Sequence, residues 1–83
     1  MSYEIAYLQS VLKKDLITLS QPILIQIKNA IEEKLMLDPL GFGKPLRYNL
    51  NSCRSLRVGD YRIIYQIHKK TILIVAIKHH REV

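Results

Sequence analysis

The sequence contains a single cysteine, Cys53, so it cannot form an internal disulfide bond. No spacing of cysteine and histidine resembles a closed zinc site, and we expect no metal and no other cofactor. The first residues, Met1 to Glu4, lack the basic head and apolar run of a signal peptide, and the longest apolar run falls far short of a membrane span. These absences predict a soluble protein of the reducing cytoplasm with no membrane contact.

Acidic residues are scarce in the second half of the chain. Residues 1–43 hold four Lys and Arg against five Asp and Glu, a net charge of −1, whereas residues 44–83 hold nine against two, a net charge of +7. A balanced half followed by a basic half favours a polyanion or an acidic protein as the partner of residues 44–83. The alternative is a basic surface that only aids solubility.

The length predicts one domain, residues 1–83, because a chain of 83 residues builds a single small core. A hydrophobic content of 48% can fill that core without disulfides, and disorder is not expected. Near the N-terminus, Tyr3, Ile5 and Tyr7 alternate with Glu4 and Ala6, which predicts a short first strand that belongs to the sheet.

Two helices are predicted after this strand. The first is capped by Ser10 and runs to Leu19, with Asp15 among the residues that face water. Pro22 then restarts the chain, and apolar residues recur at three- and four-residue spacing from residue 23 to residue 35. Asp38 and Pro39 end this second helix, and residues 40–45 are predicted as a loop. We assign the helical hairpin scaffold and partner-docking roles.

The remaining sequence is strand-like. Strands are predicted near 46–50, 53–58, 61–67 and 71–78, separated by short turns at 51–52, 59–60 and 69–70. Residues 71–77 are nearly all apolar, which predicts a central strand covered on both faces. The fold class is therefore α+β: a short N-terminal strand, a helical hairpin and an antiparallel β-meander packed on the helices.

The predicted hairpins gather basic side chains at one edge of the sheet. If Gly59 and Asp60 form a two-residue turn, Arg57 lies opposite Arg62 and both guanidinium groups share one face. The same register continued through the 69–70 turn pairs Arg62 with Ile77 and Asp60 with His79, which brings His79 to the face of Arg62. Like charges directly opposite are unfavourable and arginine cannot lose its proton, so an anion is expected there.

Such a cluster suits phosphoryl chemistry. Arginines match phosphate geometry and stabilise the extra charge of a pentacovalent transition state, and a histidine exchanges protons near neutral pH. The alternative is that the two arginines pair with Asp60, Glu82 or another carboxylate and that the histidines only lie near a chain end. Alternation places Tyr61 and Tyr65 on the opposite face, as packing residues.

Three stretches resemble a known family: Gly43-Lys44-Pro45-Leu46-Arg47, the run from Leu56 to Tyr65 (LRVGDYRIIY), and the closing His80-Arg81-Glu82-Val83 after the apolar strand. In order and spacing they resemble toxins of bacterial type II toxin–antitoxin systems, the RelE/ParE superfamily, over essentially the whole chain. The resemblance implies an acidic antitoxin that holds the toxin inactive, with operator DNA bound only through that complex. RelE-like members cut messenger RNA in the ribosomal A site without metal, and ParE-like members poison DNA gyrase.

The resemblance assigns site residues one at a time. Arg62 matches the arginine that binds and stabilises the scissile phosphate, and Arg57 matches a basic position beside it. His80 matches a position that is arginine in some members and the catalytic histidine in others, whereas strand alternation favours His79, so a bulge or the strand end decides between them. Five further cationic residues of the basic half are predicted, from their charge, to contact RNA: Lys44, Arg47, Arg54, Lys78 and Arg81.

The sequence also departs from the RelE pattern. Cys53 and Ser55 stand where RelE has two functional lysines, and the segment Lys44-Pro45-Leu46 is too short to supply a catalytic glutamate found in some members. No tyrosine follows the last predicted strand, so either the sequence ends short of that tyrosine or the nuclease chemistry is weakened. We favour a ribosome-dependent messenger RNA endonuclease. The alternatives are a gyrase inhibitor without catalysis and a decayed toxin kept for antitoxin binding and operon repression.

Overall fold

Five strands form one mixed sheet in the computed structural model, which describes residues 3–46, 52–79 and 81. They are β1 (Glu4–Tyr7), β2 (Lys44–Pro45), β3 (Arg54–Val58), β4 (Tyr61–His68) and β5 (Thr71–His79). The strand order is β1-β5-β4-β3-β2, with β1 parallel to β5 and every other pair antiparallel. The predicted α+β fold, with the first strand in the sheet, is confirmed.

The first helix is shorter than predicted. It contains a π-helical segment, Val11–Asp15, in which the Leu16 N–H donates to the Val11 carbonyl five residues earlier, at 2.9 Å. Ser10 has helical torsion angles (φ −60°, ψ −34°) and its side chain makes no capping hydrogen bond. The prediction that Ser10 caps the helix was therefore wrong, because Ser10 already lies inside it and the regular segment ends well before Leu19.

The second helix is confirmed. Helix α1 (Gln21–Ala30) begins after an extended Ser20, carries Pro22 in its first turn and continues as a π-helical segment, Ile31–Leu35. The inward-facing stripe lies against the sheet and is almost fully buried, through Ile27, Ala30, Ile31 and Leu35. No helix among the described residues is long and apolar enough to cross a membrane.

Residues 39–45 are more ordered than the predicted loop. A single helical turn, α2 (Pro39–Phe42), forms because the Asp38 carboxylate accepts a 3.0 Å hydrogen bond from the Gly41 N–H. The chain then enters β2 directly, so this strand begins two residues earlier than predicted. The rest of the predicted strand, residues 47–50, and Asn51 of the following turn lie outside the described residues.

The core lies between the helices and one face of the sheet. On that face the side chains of Ile63, Tyr65, Ile72 and Ile74 are fully buried. Strand β5 has a strand on each side, as predicted, but its other face is only partly covered, and burial alternates along it. The prediction that β5 is covered on both faces was wrong, because both helices pack on the same face of the sheet. The opposite face, which carries Ile64 and Leu73, is called the open face below.

A β-bulge in β5 shifts the register of the sheet. Tyr65 pairs with Ile74, but the preceding residue of β4, Ile64, pairs with Ala76, so Val75 is an extra residue. Every pair beyond the bulge is displaced by one position from the register that the Lys69-Lys70 turn sets. Because strand side chains alternate between faces, the displacement decides which residues at the end of β5 share a face with Arg62.

Candidate functional site

Three cationic residues lie in a row across the open face. Arg57 pairs with Arg62 through the Gly59-Asp60 turn, as predicted, and Gly59 adopts the left-handed φ of 59° that this turn requires. Arg62 pairs in turn with Lys78 of β5. Paired residues of neighbouring antiparallel strands share a face, so Arg57, Arg62 and Lys78 form a continuous cationic strip, called the basic row below.

His79 does not join this row. The predicted pairing of Arg62 with Ile77 and of Asp60 with His79 was wrong, because the extra residue Val75 shifts each partner by one. His79 instead pairs with Tyr61 on the helix-packed face, where the two rings meet edge to face with centroids 5.2 Å apart. Lys78 occupies the place in the row that the sequence assigned to His79.

Ser55 lies beside the basic row and was not predicted as a site residue. Its side chain is only 7% exposed, and its hydroxyl accepts a hydrogen bond from Nη1 of Arg62 at 3.4 Å. Ser55 also pairs with Lys44 of β2, which places the exposed Lys44 on the open face next to the row. A signal for Ser55 existed in the sequence, since strand alternation puts it on the same face as Arg57.

The two arginines of the row contact neutral groups. Nε of Arg57 donates to the Gly59 carbonyl at 3.0 Å, which holds the side chain along its own turn. Nε of Arg62 is buried and has no hydrogen-bond acceptor within the described part of the chain, so the 3.4 Å contact to Ser55 is a weak hold on this guanidinium. A buried donor without an acceptor is unfavourable, and an anionic oxygen would relieve it.

Arg54 is not brought to the basic row. Arg54 pairs with Tyr65 on the helix-packed face, and its Nη2 donates to the carbonyls of Leu40 and Gly43 at 2.9 and 2.8 Å. The Tyr65 hydroxyl reinforces this anchor by donating to the Pro39 carbonyl at 2.6 Å. Burial raises the pKa of Tyr65, while the Arg54 guanidinium lowers it in part. Arg54 thus fastens α2 to the sheet, although the sequence suggested an RNA contact.

Of the other predicted site residues, one is described by the structure and two are not. Arg81 is exposed just beyond β5, and its backbone N–H donates to Nδ1 of His79 at 3.3 Å. Arg47 and His80 lie outside the described residues, so their predicted roles stay predictions. The buried thiol of Cys53 accepts a hydrogen bond from Nε2 of Gln66 at 3.4 Å.

A second residue that the sequence misplaced is Asp15, which was predicted to face water. Its carboxylate oxygen Oδ2 accepts a 2.8 Å hydrogen bond from the backbone N–H of Ile77. Strand β1 ends at Tyr7, opposite Ile74, so this part of the β5 edge extends beyond its strand partner. Asp15 takes the place of a strand there and fixes the segment that carries Lys78 and His79.

Comparisons with known proteins identify the family. Residues 8–83 match the sequence model of the ParE toxin of the type II toxin–antitoxin system parDE. Toxin RelG of Mycobacterium tuberculosis is 33% identical over 73 residues, which cover 86% of this chain and 84% of that protein.

Solved structures agree with this match. The toxin–antitoxin complex RelBE2 of M. tuberculosis contains a chain with 31% identity and a TM-score of 0.85, over 95% of this chain and 99% of that one. The RelB-RelE antitoxin–toxin complex of Methanococcus jannaschii gives 26% identity and a TM-score of 0.72, over 93% and 92%. The resemblance seen in the sequence is confirmed, and the chain belongs to the RelE/ParE family of type II toxin–antitoxin toxins.

Proposed function

We propose that this toxin is a metal-independent endoribonuclease that cuts messenger RNA on the ribosome and so inhibits translation. The observation that carries the proposal is the basic row, in which Arg62 lies between Arg57 and Lys78 and, among the described residues, makes one long side-chain hydrogen bond. A phosphodiester would supply an acceptor for the buried Nε, which has none in the described part of the chain, and would offset the repulsion along the row.

The proposed roles follow from position. Arg62 binds the scissile phosphate and stabilises the charge that builds on its oxygens when the neighbouring 2′-hydroxyl attacks phosphorus and the bond to the 5′-oxygen breaks. Arg57 and Lys78 flank that phosphate, and Lys44 lies along the same face for an adjoining one. In the family pattern His80 exchanges a proton with the reacting oxygens, and Arg47 and Arg81 extend the RNA contact.

The decisive test is Arg62→Ala. Removing a charge-assisted contact to the transition state costs about 3–4 kcal/mol, so cleavage should slow by roughly 10²–10³-fold while the fold persists. Cleavage of ribosome-bound message is followed by mapping new 5′ ends after addition of purified protein. Lys28→Ala, an exposed charge loss on α1, is the matched control and should cut at the normal rate. A folded Arg62→Ala protein with full activity would overturn the assignment.

The two histidines provide a second test. His80→Gln should slow cleavage by about 10²–10⁴-fold if His80 is the general acid or base. His79→Gln should have a much smaller effect on the chemical step, because the bulge places His79 on the face opposite Arg62. Equal losses at both positions would contradict the proposed roles.

A gyrase inhibitor without catalysis is the second candidate. It is favoured by the match to the ParE model and by Cys53 and Ser55, which stand where RelE-like nucleases carry lysines. The two functions separate in cells after induction. The nuclease stops protein synthesis first and leaves messages cut at ribosome-occupied codons, whereas a gyrase inhibitor stops replication and leaves cleaved DNA–gyrase complexes. Intact messages together with trapped gyrase would overturn our preferred function.

We further propose that a cognate acidic antitoxin neutralises this toxin. Both solved structures compared above are complexes of relatives with antitoxins, and the open face here combines the basic row with half-buried apolar residues such as Ile64 and Leu73. An extended acidic segment with an amphipathic helix would cover such a surface, burying on the order of 2,000 Å². Co-expression with the small acidic protein encoded beside the toxin should restore growth, and its failure would count against this partner.

A further inference from the structure

A cleft on the helix-packed side of the sheet has no part in the proposed cleavage. It lies between the first helical segment and the ends of β4 and β5 and has a volume of about 460 Å³. Its lining includes two lysines, a histidine, a tyrosine, a threonine and one carboxylate: Lys14, Lys78, His79, Tyr61, Thr18 and Asp15. The volume lies within the range of small-ligand sites in proteins, and the lining combines cationic and aromatic residues with the apolar Leu19 and Ile77.

The aromatic part of the cleft is built by the bulge. Because Val75 is an extra residue, His79 lies opposite Tyr61, and their rings meet edge to face with an interplanar angle of 76°. In that arrangement each ring keeps at least one face that the other ring does not cover. Aromatic faces of this kind accept nucleic-acid bases by stacking, without regard to base identity.

The charges of the cleft are divided between its rim and its wall. Lys14 is exposed on the helical segment, and Lys78 is partly buried on β5. The one carboxylate, Asp15, already accepts the Ile77 N–H at 2.8 Å, so part of its charge is used within the protein. A ligand with an uncharged planar part for the wall and an anionic part for the rim fits this division. A nucleotide has that form, since its base is planar and uncharged and its phosphate is anionic.

We propose that this cleft binds a nucleotide of single-stranded RNA next to the one held by the basic row. Lys78 of the basic row also borders the cleft, so the two sites adjoin at the end of β5. The base lies against Tyr61 and His79, the phosphate at the mouth of the cleft contacts Lys14, and the next phosphate reaches Lys78 in the basic row. The inference rests on the proposed RNA substrate, but it concerns binding and requires no cleavage.

The test measures RNA affinity without the ribosome. The probe is a fluorescein-labelled single-stranded 2′-O-methyl RNA of about ten nucleotides, which cannot be cut through its 2′ oxygen, and binding is read by fluorescence anisotropy. Lys14→Glu is compared with Lys13→Glu, a neighbouring exposed lysine that does not line the cleft. We expect Lys14→Glu to weaken binding about five- to tenfold more than Lys13→Glu, because Lys14, unlike Lys13, contacts a bound phosphate.

A second measurement separates stacking from charge. His79→Ala should weaken binding about tenfold, and His79→Phe should restore most of the affinity, because stacking needs only an aromatic face. Circular dichroism melting shows that each variant is folded. Proton NMR of the wild type adds an independent readout, since the ring signals of Tyr61 and His79 should shift during an RNA titration.

The outcomes are distinct. Equal losses for Lys14→Glu and Lys13→Glu, or ring signals that do not move, overturn the cleft as an RNA site. Unchanged RNA affinity in Lys14→Glu together with weaker antitoxin binding would make the cleft a protein-docking surface and would also overturn the proposal. If RNA binds through the cleft but ribosome-bound messages stay intact, the cleft proposal holds and the nuclease proposal fails.

Discussion

The Ser55 hydroxyl accepts a hydrogen bond from Nη1 of Arg62 across the β3–β4 pair, at 3.4 Å. This is a long contact to a neutral acceptor, and Nε of the same guanidinium is buried without an acceptor among the described residues. Ser55 therefore aims Arg62 without competing strongly with an anion.

The first prediction follows from that relationship. Ser55→Ala removes the only side-chain acceptor that the described structure offers Arg62, so the guanidinium should sample more orientations and cleavage should slow about two- to fivefold. That loss corresponds to about 0.5–1 kcal/mol, the low end for a hydrogen bond. Ser55→Thr keeps the hydroxyl and serves as the control in the same message-cleavage assay. Equal activity in Ser55→Ala and the wild type would show that Ser55 does not orient Arg62.

The second prediction concerns the repulsion between Arg57 and Arg62. Arg57→Gln should stabilise the fold by a fraction of a kcal/mol at low salt, since like charges directly opposite are unfavourable. The gain should shrink in concentrated salt because exposed charges are then screened. Urea unfolding at two salt concentrations measures both effects, with Lys13→Gln, outside the basic row, as the control. A loss of stability at low salt would mean that the Gly59 carbonyl contact outweighs the repulsion.

The sequence predicted two of the three members of the basic row, because a two-residue turn allows only one register between the strands that it joins. Gly59 and Asp60 fix Arg57 opposite Arg62, and the structure has that pair. The third member could not be predicted. Val75 lies in a run of apolar residues that suits either face of a strand, so the sequence gives no sign that it is the extra residue of a bulge. Because this one residue was not recognised, the predicted positions of Lys78 and His79 on the two faces of the sheet were interchanged.

Local contacts explain the other differences. Asp38 caps a helical turn across Pro39 and Gly41, residues that also suit an irregular loop. The sequence predicts an RNA contact for Arg54 because it does not reveal which carbonyls a partly buried side chain will meet. Its partners, Leu40 and Gly43, lie more than ten residues away along the chain. The class of fold depended on hydrophobic periodicity and was predictable; such long-range polar contacts were not.

The third prediction tests the anchor of α2. Tyr65→Phe leaves the buried Pro39 carbonyl without its partner and should destabilise the fold by about 1–2 kcal/mol. Gly43→Ala should cost more, because a Cβ at residue 43 would collide with the Tyr65 hydroxyl. The double variant should be less destabilised than the sum of the two, since the colliding hydroxyl is gone. Strict additivity in urea unfolding would contradict this packing.

The fourth prediction concerns alkaline pH. Burial raises the pKa of Tyr7, with Glu32 adding to the effect, and burial also raises the pKa of Tyr65. Both phenols then ionise more readily in the unfolded chain than in the folded protein. The free energy of unfolding is therefore undiminished below the unfolded pKa of 10.0, and it falls as pH rises through the raised pKa of each phenol in the folded protein. Urea midpoints from about pH 9 to about pH 11 should decline, and Tyr7→Phe should flatten part of that decline. An unchanged pH profile in Tyr7→Phe would contradict its contribution.

The last prediction concerns Asp15, which joins the first helical segment to β5 by accepting the Ile77 N–H at 2.8 Å. Asp15→Ala leaves a part-buried backbone donor without a partner and should destabilise the fold by about 1–3 kcal/mol. Asp15→Asn retains an acceptor oxygen and should cost less. Because Ile77 adjoins Lys78 and His79, loosening this contact should also disturb both sites at the end of β5.

Hydrogen exchange measures the contact directly. The Ile77 amide should exchange faster in Asp15→Ala, while the exchange rates of the β3 amides keep the same ranking as in the wild type. Glu33→Ala removes an exposed carboxylate from the second helix and is the control. An Ile77 amide that stays as protected in Asp15→Ala as in Glu33→Ala would show that the carboxylate does not hold this edge of the sheet.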